Sequence, residues 1–133
     1  MTALALTFLS VSNIFSLPAG LLSSLCFVES EHKTHKVNVN DGGSDSIGVC
    51  QIKLSTAQFL GFTGKAEELK TNPRLNIYYA GAYLKFQLNR YDGDVKKAVA
   101  SYNSGSYKAK NGTAINKKYV NKVYSAWGAY DKN

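Results

Sequence analysis

The chain has 133 residues, 44% of them hydrophobic, so it is long enough for one domain with a sizeable core and too short for two ordinary domains. Its net charge of +7 favours a polyanionic partner such as nucleic acid, an anionic envelope or a cell wall. Base-specific nucleic-acid recognition relies heavily on Arg, and the only arginines are Arg74 and Arg90. We therefore expect a single domain over residues 1–133 and no specific nucleic-acid partner.

The first 28 residues carry no charged side chain and include the apolar run from Ala3 to Leu9. A secretory signal peptide would begin with basic residues, but no Lys or Arg precedes Lys33. Polar residues and Pro18 interrupt the run well short of the ~20 residues that a membrane span needs. We predict that the segment is the first helix of the domain, followed by a turn, and not a signal peptide.

The next segment, residues 21–30, is apolar up to a single carboxylate, Glu29. We predict a core helix here, with Pro18 in its first turn and Glu29 at its end. Burial among apolar side chains raises the pKa of a carboxyl group, which lets it hold a proton near neutral pH as a general acid must. Taken alone, however, a Glu at the outer end of a helix more commonly points into water.

Downstream, the pattern predicts a mainly α chain. Residues 33–48 are polar, and we expect a small β-hairpin or an irregular loop around residues 36–50. The helices predicted after it are a short one from Ser55 to Leu60, a long one from Asn72-Pro73 to about Arg90, one capped by Asp94 and running into Asn103-Ser104-Gly105, and a terminal amphipathic one containing Tyr119 to Trp127.

Cysteine and histidine spacing does not indicate a metal site. Cys26 and Cys50 are too few for a disulfide framework, and we expect buried free thiols, although a bridge forms if position 50 folds back over the helix that bears position 26. His32 and His35 are expected to be solvated loop residues. We predict neither a metal nor a cofactor.

Five motifs, in order and at roughly the right spacing, resemble the soluble lytic transglycosylase (SLT) family, which has a lysozyme-like fold and cleaves bacterial peptidoglycan. The resemblance covers most of the chain. The motifs are Val28-Glu29-Ser30 after Leu17-Pro18 and Leu21-Leu22, Gly48-Val49-Cys50-Gln51-Ile52, Asn76-Ile77 with Gly81 and Tyr83-Leu84, Ala100-Ser101-Tyr102-Asn103-Ser104-Gly105, and Tyr119-Val120-Asn121-Lys122-Val123.

The separation of nineteen positions between Glu29 and Gly48 looks more like the branch of phage lysins and of wall-clearing enzymes of secretion and conjugation systems. The chain departs from common family residues at His32, Lys53 and Ile115. These departures concern details of glycan contact and leave the acid in place.

The resemblance implies a function and a set of site residues. Glu29 would be the single catalytic acid and base, since the N-acetyl and C6 hydroxyl groups of the substrate can replace a second carboxylate and water. The product would carry 1,6-anhydro-N-acetylmuramic acid (1,6-anhydroMurNAc) ends. The implied substrate-binding residues are Gln51, Tyr83, Tyr102, Asn103, Asn38 and Lys53.

Three of these assignments have a plainer structural alternative. Gln51 could be a satisfied core amide, Tyr83 a core ring and Asn103 a backbone cap, whereas Tyr102 is expected to bring its hydroxyl to the carboxyl of Glu29 or to glycan. Asn38 is a candidate acetamido contact. Asp41 and Asp45, the nearby carboxylates, are expected to cap turns.

Two rival functions remain: a hydrolytic muramidase, as in lysozymes and phage endolysins, and a non-catalytic peptidoglycan-binding or assembly protein. All three functional hypotheses have peptidoglycan glycan strands as the partner. We expect a monomer that acts in the periplasm or cell wall, with its lysines suited to an anionic envelope.

Overall fold

The computed structural model describes residues 1–131 and is 58% helical, which confirms the mainly α fold class. Helices and short strands follow one another along this part of the chain. In order, they are α1 (Ala3–Ile14), α2 (Leu21–Ser30), β1 (Val37–Asp41), β2 (Ser44–Ile47), α3 (Leu54–Phe59), α4 (Ala66–Thr71), α5 (Pro73–Arg90), α6 (Val95–Ser104), β3 (Ala109–Lys110), β4 (Thr113–Ala114) and α7 (Lys117–Asp131).

Of the two alternatives expected around residues 36–50, a hairpin or an irregular loop, the structure has the hairpin. Strands β1 and β2 pair antiparallel, with Val37 opposite Ile47 and Asn38 opposite Ser46, and the register shifts between Asn38 and Asp41. Ile47 also forms a bridge with Ile52, which connects the hairpin to the loop that follows it. A second, two-residue hairpin of β3 and β4 and the short helix α4 lie in segments for which the sequence predicted no regular structure.

Capping side chains explain why two helices begin where the sequence predicts. The side chain of Asn72 accepts a hydrogen bond from the Leu75 amide at 3.2 Å, and Pro73 occupies the first position of α5. Asp94 accepts from the Lys97 amide at 3.1 Å at the start of α6. The prediction for Pro18 is wrong: α2 begins at Leu21 after a left-handed Gly20, and Pro18 lies in the preceding turn.

Helix α2 is central to the main core, where Leu21, Leu22 and Leu25 are fully buried. It packs against α7, α1 and α5, and α5 packs against α6. At the contact between α1 and α5, a Cβ on Gly81 would lie 2.5 Å from Cγ1 of Val11, so the two helices approach too closely for a larger residue.

A smaller apolar cluster lies beneath the hairpin. It consists of Ile47, Ile52, Ala57, Phe62 and Leu69. Val49 and Cys50 belong to the main core and Ile52 to the smaller cluster, so both support the segment that carries one wall of the site described next.

Within residues 1–131, no helix has the length and apolar character needed to cross a membrane.

Candidate active site

An open cleft of about 480 Å³ contains the side chain of Glu29 at the end of α2. Its walls come from the β1–β2 hairpin, the loop that follows, α5 and the end of α6. Six of the seven residues that the sequence singled out line it together, namely Glu29, Gln51, Lys53, Tyr83, Tyr102 and Asn103. The seventh, Asn38, is exposed on β1 and is not among the lining residues, so its contact with an acetamido group stays a prediction.

Burial raises the pKa of Glu29 from an ordinary 4.5 to about 7. The negative charge of Asp41 raises it further, whereas a hydrogen bond from Tyr119 and the positive charge of Lys36 oppose the rise. The carboxyl group therefore keeps its proton in a substantial fraction of molecules near neutral pH. The apolar character of α2 predicts the direction of this shift, and the structure supplies its causes.

Tyr119 is the functional residue that our site prediction missed. Its hydroxyl donates a hydrogen bond of 2.6 Å to Oε2 of Glu29, and the two residues are 90 positions apart in the chain. Burial raises the pKa of Tyr119, and the charge of Glu29 raises it further, so the phenol remains a donor at neutral pH. The closing Tyr-Val-x-x-Val motif drew attention to this position without connecting it to the acid.

The loop from Gly48 to Gln51 is fixed from three sides by buried hydrogen bonds. The Ser30 hydroxyl donates to the Val49 carbonyl at 2.6 Å, and the Cys50 amide donates to Oδ1 of Asn76 at 3.0 Å. The hydroxyl of Tyr102 donates to the Cys50 carbonyl at 2.8 Å. This loop is therefore held rigidly beside Glu29, because each contact satisfies a buried backbone group.

The hydroxyl of Tyr102 donates to the carbonyl of Cys50 and not to the carboxyl of Glu29, so of its two expected contacts only the one with glycan stays a prediction. The side chain of Gln51 also acts locally. Its Nε2 donates to the carbonyls of Lys36 and Gly48, each at 3.0 Å, while the residue itself adopts a left-handed φ of 51° in the cleft wall. Gln51 thus both lines the cleft and ties the loop to the segment before β1.

The hairpin tip carries a carboxylate into the same cleft. Nζ of Lys53 donates to the main-chain carbonyl of Asp41, and the Ser46 hydroxyl donates to Oδ2 of Asp41 at 2.8 Å. Asp41, Ser46 and Lys53 all line the cleft. Asp45 instead accepts from the Asn40 amide at 3.0 Å and caps the turn, in agreement with the sequence prediction for that residue.

Asn103 and Tyr83 complete the far wall. Oδ1 of Asn103 accepts a hydrogen bond of 3.0 Å from Nδ2 of Asn116, so the amide is linked to the segment before α7. The half-buried ring of Tyr83 packs against Tyr102, with centroids 5.2 Å apart. Both residues line the cleft, whose volume of about 480 Å³ lies within the usual range of ligand-binding sites.

Two predictions outside the cleft are wrong. Cys26 and Cys50 form a disulfide, with Cα atoms 4.4 Å apart, because the loop after the hairpin folds back onto α2. His32 is not a solvated residue: its Nε2 donates to the Ser23 carbonyl at 2.8 Å, and its ring lies 4.9 Å from that of Phe8. His35 is exposed as expected. Among residues 1–131, no group of three or more His, Cys, Asp or Glu is arranged to hold a metal ion.

Tyr119→Phe is expected to raise the pKa of Glu29 above about 7. The hydrogen bond from Tyr119 stabilises the carboxylate, so its removal favours the protonated form. Carbon-detected NMR titration of labelled Glu side chains measures the change. Tyr102→Phe is the matched control, because that hydroxyl donates to a carbonyl instead. An unchanged or lower pKa in Tyr119→Phe would show that the bond does not influence the acid.

Glu29→Gln is expected to stabilise the fold progressively as pH rises. The unfolded carboxyl loses its proton near 4.5 and the folded one near 7, so the folded state binds more protons between these values and wild-type stability falls across that window. Glu29→Gln has no carboxyl at this position and does not lose stability in this way. The difference between its free energy of unfolding and that of wild type should therefore grow in its favour by about 2 kcal/mol between roughly pH 5 and pH 8. Urea unfolding at both pH values measures it.

Glu31→Gln controls for the removal of a charge, since Glu31 is exposed and pairs with Lys33 at 3.5 Å. A difference between Glu29→Gln and wild type that stays constant with pH would contradict the account of a buried, proton-holding carboxyl.

Comparisons with known proteins identify a family and several relatives of this chain. A family model described as "Transglycosylase SLT domain" matches residues 7–125. The chain is 32% identical over 111 residues to "Protein IpgF" of Shigella flexneri, a match that covers 83% of this chain and 71% of that protein. It is 26% identical over 111 residues to "X polypeptide" of Escherichia coli (strain K12), covering 83% of this chain and 65% of that protein.

Proposed function

Because this chain belongs to the family of transglycosylase SLT domains, we propose that it is a peptidoglycan lytic transglycosylase that cleaves the MurNAc-β-1,4-GlcNAc bond without water. The observation that carries the proposal is Glu29, a carboxyl with a pKa of about 7 in an open, sugar-sized cleft. Such a group can donate a proton near neutral pH and take one back later in the same cycle.

Two proton transfers complete the proposed reaction. Protonated Glu29 donates its proton to the glycosidic oxygen as the bond from that oxygen to C1 of MurNAc breaks. The carbonyl oxygen of the substrate's own acetamido group stabilises the positive charge at C1. The C6 hydroxyl oxygen then attacks C1 and gives its proton to the Glu29 carboxylate. The acid is regenerated, the product is 1,6-anhydroMurNAc, and no water is consumed.

The remaining residues position the acid and the sugar. Tyr119 fixes the orientation of the Glu29 carboxyl through the hydrogen bond to Oε2. Tyr102 acts through the backbone of Cys50, which keeps the loop bearing Gln51 against the cleft. Tyr83 and Asn103 on one wall, and Gln51 and Lys53 on the other, offer the ring surface and the polar atoms that would contact glycan.

Digestion of purified sacculi by the wild-type protein tests this function. Mass spectrometry of the released fragments should find MurNAc ends that are lighter than reducing ends by one water molecule. A digest that contains only reducing ends would overturn the transglycosylase assignment.

Asp41 favours a second candidate, a hydrolytic muramidase. Its carboxylate lines the same cleft, and its charge contributes to the raised pKa of Glu29. Glycosidases that hydrolyse commonly use such a carboxylate to activate water or to attack the sugar. Asp41→Asn separates the two functions by their products, because a muramidase would no longer form reducing ends, whereas a transglycosylase would still form anhydro ends.

We further propose that the protein acts as a monomer in the periplasm or cell wall, on peptidoglycan glycan strands. Fourteen lysines contribute most of its positive charge and suit an anionic envelope. The competing role of a non-catalytic peptidoglycan-binding or assembly protein predicts that sacculi are bound and remain intact. Sedimentation with sacculi, followed by fragment analysis of the supernatant, distinguishes the two roles.

A further inference from the structure

We propose that Phe59 and Phe86 form an aromatic platform that continues the cleft and binds the glycan strand beyond the sugars around the scissile bond. The identity of the ligand rests on the proposed function. The platform lies outside the set of residues that line the cleft and has no part in the proton transfers.

The platform is the outer end of a continuous row of rings. Tyr102 and Tyr83 line the cleft, with ring centroids 5.2 Å apart. Tyr83 stacks nearly parallel to Phe86 at 6.4 Å, with 9° between the planes, and Phe86 meets Phe59 edge to face at 5.1 Å. The row thus leads from the surroundings of Glu29 outward across the protein surface.

Two helices build this extension with the same spacing. On α3, Thr56 lines the cleft and Phe59 follows three residues later. On α5, Tyr83 lines the cleft and Phe86 follows three residues later. Residues three apart share a helix face and lie about 4.5 Å apart along the axis, close to the length of one sugar unit. Each helix therefore places one residue in the cleft and one a single step beyond it.

Exposure shows that these phenylalanines are not core residues. Phe59 is 68% exposed and Phe86 is 36% exposed, so both leave apolar ring surface in contact with water. Covering these two adjacent rings with a ligand would remove apolar area from water, which favours binding. A pyranose ring presents a flat face of C–H groups that fits an aromatic ring, and its hydroxyl groups remain solvated at the edge.

The glycan strand is the occupant that the geometry favours. The platform is continuous with a cleft whose substrate, by proposal, is a long polymer that must leave the cleft at both ends. Two rings are also a small area compared with the roughly 800 Å² that each partner buries in a stable protein complex. A second copy of the chain is therefore a poor fit for this patch alone.

Calorimetric titration with peptidoglycan glycan fragments of defined length tests the platform. The titrations use the Glu29→Gln protein, so that the fragments are not cleaved. Its affinity should rise with fragment length once the fragment reaches the platform. Adding Phe59→Ser or Phe86→Ala should abolish that rise and weaken binding of the longest fragment about tenfold, because an apolar contact of one ring is lost. Phe59 is largely exposed, so its replacement leaves the fold intact.

Tyr78→Ala is the matched control, since Tyr78 lies on the same helix, is aromatic and is 40% exposed. It should retain the length dependence. Unchanged binding of the longest fragment by Phe59→Ser would overturn the platform, as would an equal loss in Tyr78→Ala. A dimer of the parent protein that Phe59→Ser dissociates in light scattering would also overturn it, because the pair would then join two copies.

The two proposals fail separately. If wild type releases anhydro ends but Phe59→Ser binds every fragment normally, the transglycosylase activity is supported and glycan binding by the platform is refuted. If wild type cleaves nothing, but affinity rises with fragment length and this rise is lost in Phe59→Ser, glycan binding by the platform is supported and the transglycosylase activity is refuted.

Discussion

Glu29→Gln is expected to lower the rate of glycan cleavage by roughly 10²- to 10⁴-fold, the range that a positioned general acid and base contributes. The amide retains the shape of the side chain but can neither donate an acidic proton to the glycosidic oxygen nor accept one from the C6 hydroxyl. Release of soluble fragments from sacculi, followed over time at near-neutral pH, measures the loss.

Glu31→Gln is the control for this experiment, because it removes a carboxylate two residues away that is exposed and paired with Lys33. It should cleave at the wild-type rate. Thermal unfolding of Glu29→Gln should show an intact fold. A variant at position 29 that still clears sacculi at the wild-type rate would mean that the acid lies elsewhere or that the activity comes from a contaminant.

Removing the disulfide by the double substitution Cys26→Ala and Cys50→Ala is expected to lower the free energy of unfolding by about 3 kcal/mol. The bridge closes a loop with a sequence separation of 24, and its loss frees that loop in the unfolded chain. For a chain of this length the midpoint of thermal unfolding should fall by roughly 10 °C. Differential scanning calorimetry measures both quantities.

Reductant provides an internal control for the disulfide. Wild type with its bridge reduced should approach the midpoint of the double variant, whereas the double variant should not respond to reductant at all. Equal midpoints for oxidised wild type and the double variant would show that the bridge does not stabilise the fold. Since Cys26 precedes Glu29 by three residues and Cys50 precedes Gln51, the same bridge also ties the acid-bearing helix to the opposite wall of the cleft.

Local signals made much of the fold predictable. The first residues of α5 and α6 can be predicted from Asn72, Pro73 and Asp94, whose capping and backbone preferences act within a few residues. The hairpin around residues 36–50 follows from a polar, glycine-rich stretch between apolar segments. Pro18 shows the limit of such signals, because a left-handed Gly20 starts α2 later than the proline alone suggests.

Contacts between distant parts of the chain could not be predicted in the same way. The hydrogen bond from Tyr119 to Glu29 spans 90 positions, and the bond from Tyr102 to Cys50 spans 52. The disulfide likewise depends on how the hairpin returns the chain to α2. For His32 the sequence predicts a solvated loop residue, but its partners are Phe8 on α1 and the Ser23 carbonyl on α2.

The resemblance to family motifs identified candidate site residues that local sequence patterns alone could not. Gln51, Tyr83, Tyr102 and Asn103 were selected by motif, and the structure places them around one cleft with Glu29. The roles of the residues within that cleft depend on contacts between distant parts of the chain. Tyr102 supports the backbone, and the residue that bonds the acid is Tyr119.

Cleavage of sacculi in oxygen-labelled water tests most directly whether Glu29 works alone with the sugar's own hydroxyl group. The account predicts that the new MurNAc ends are anhydro ends without label, because the C6 hydroxyl supplies the attacking oxygen. Labelled reducing ends, formed by wild type and lost in Asp41→Asn, would contradict it and identify a hydrolase with two carboxylates.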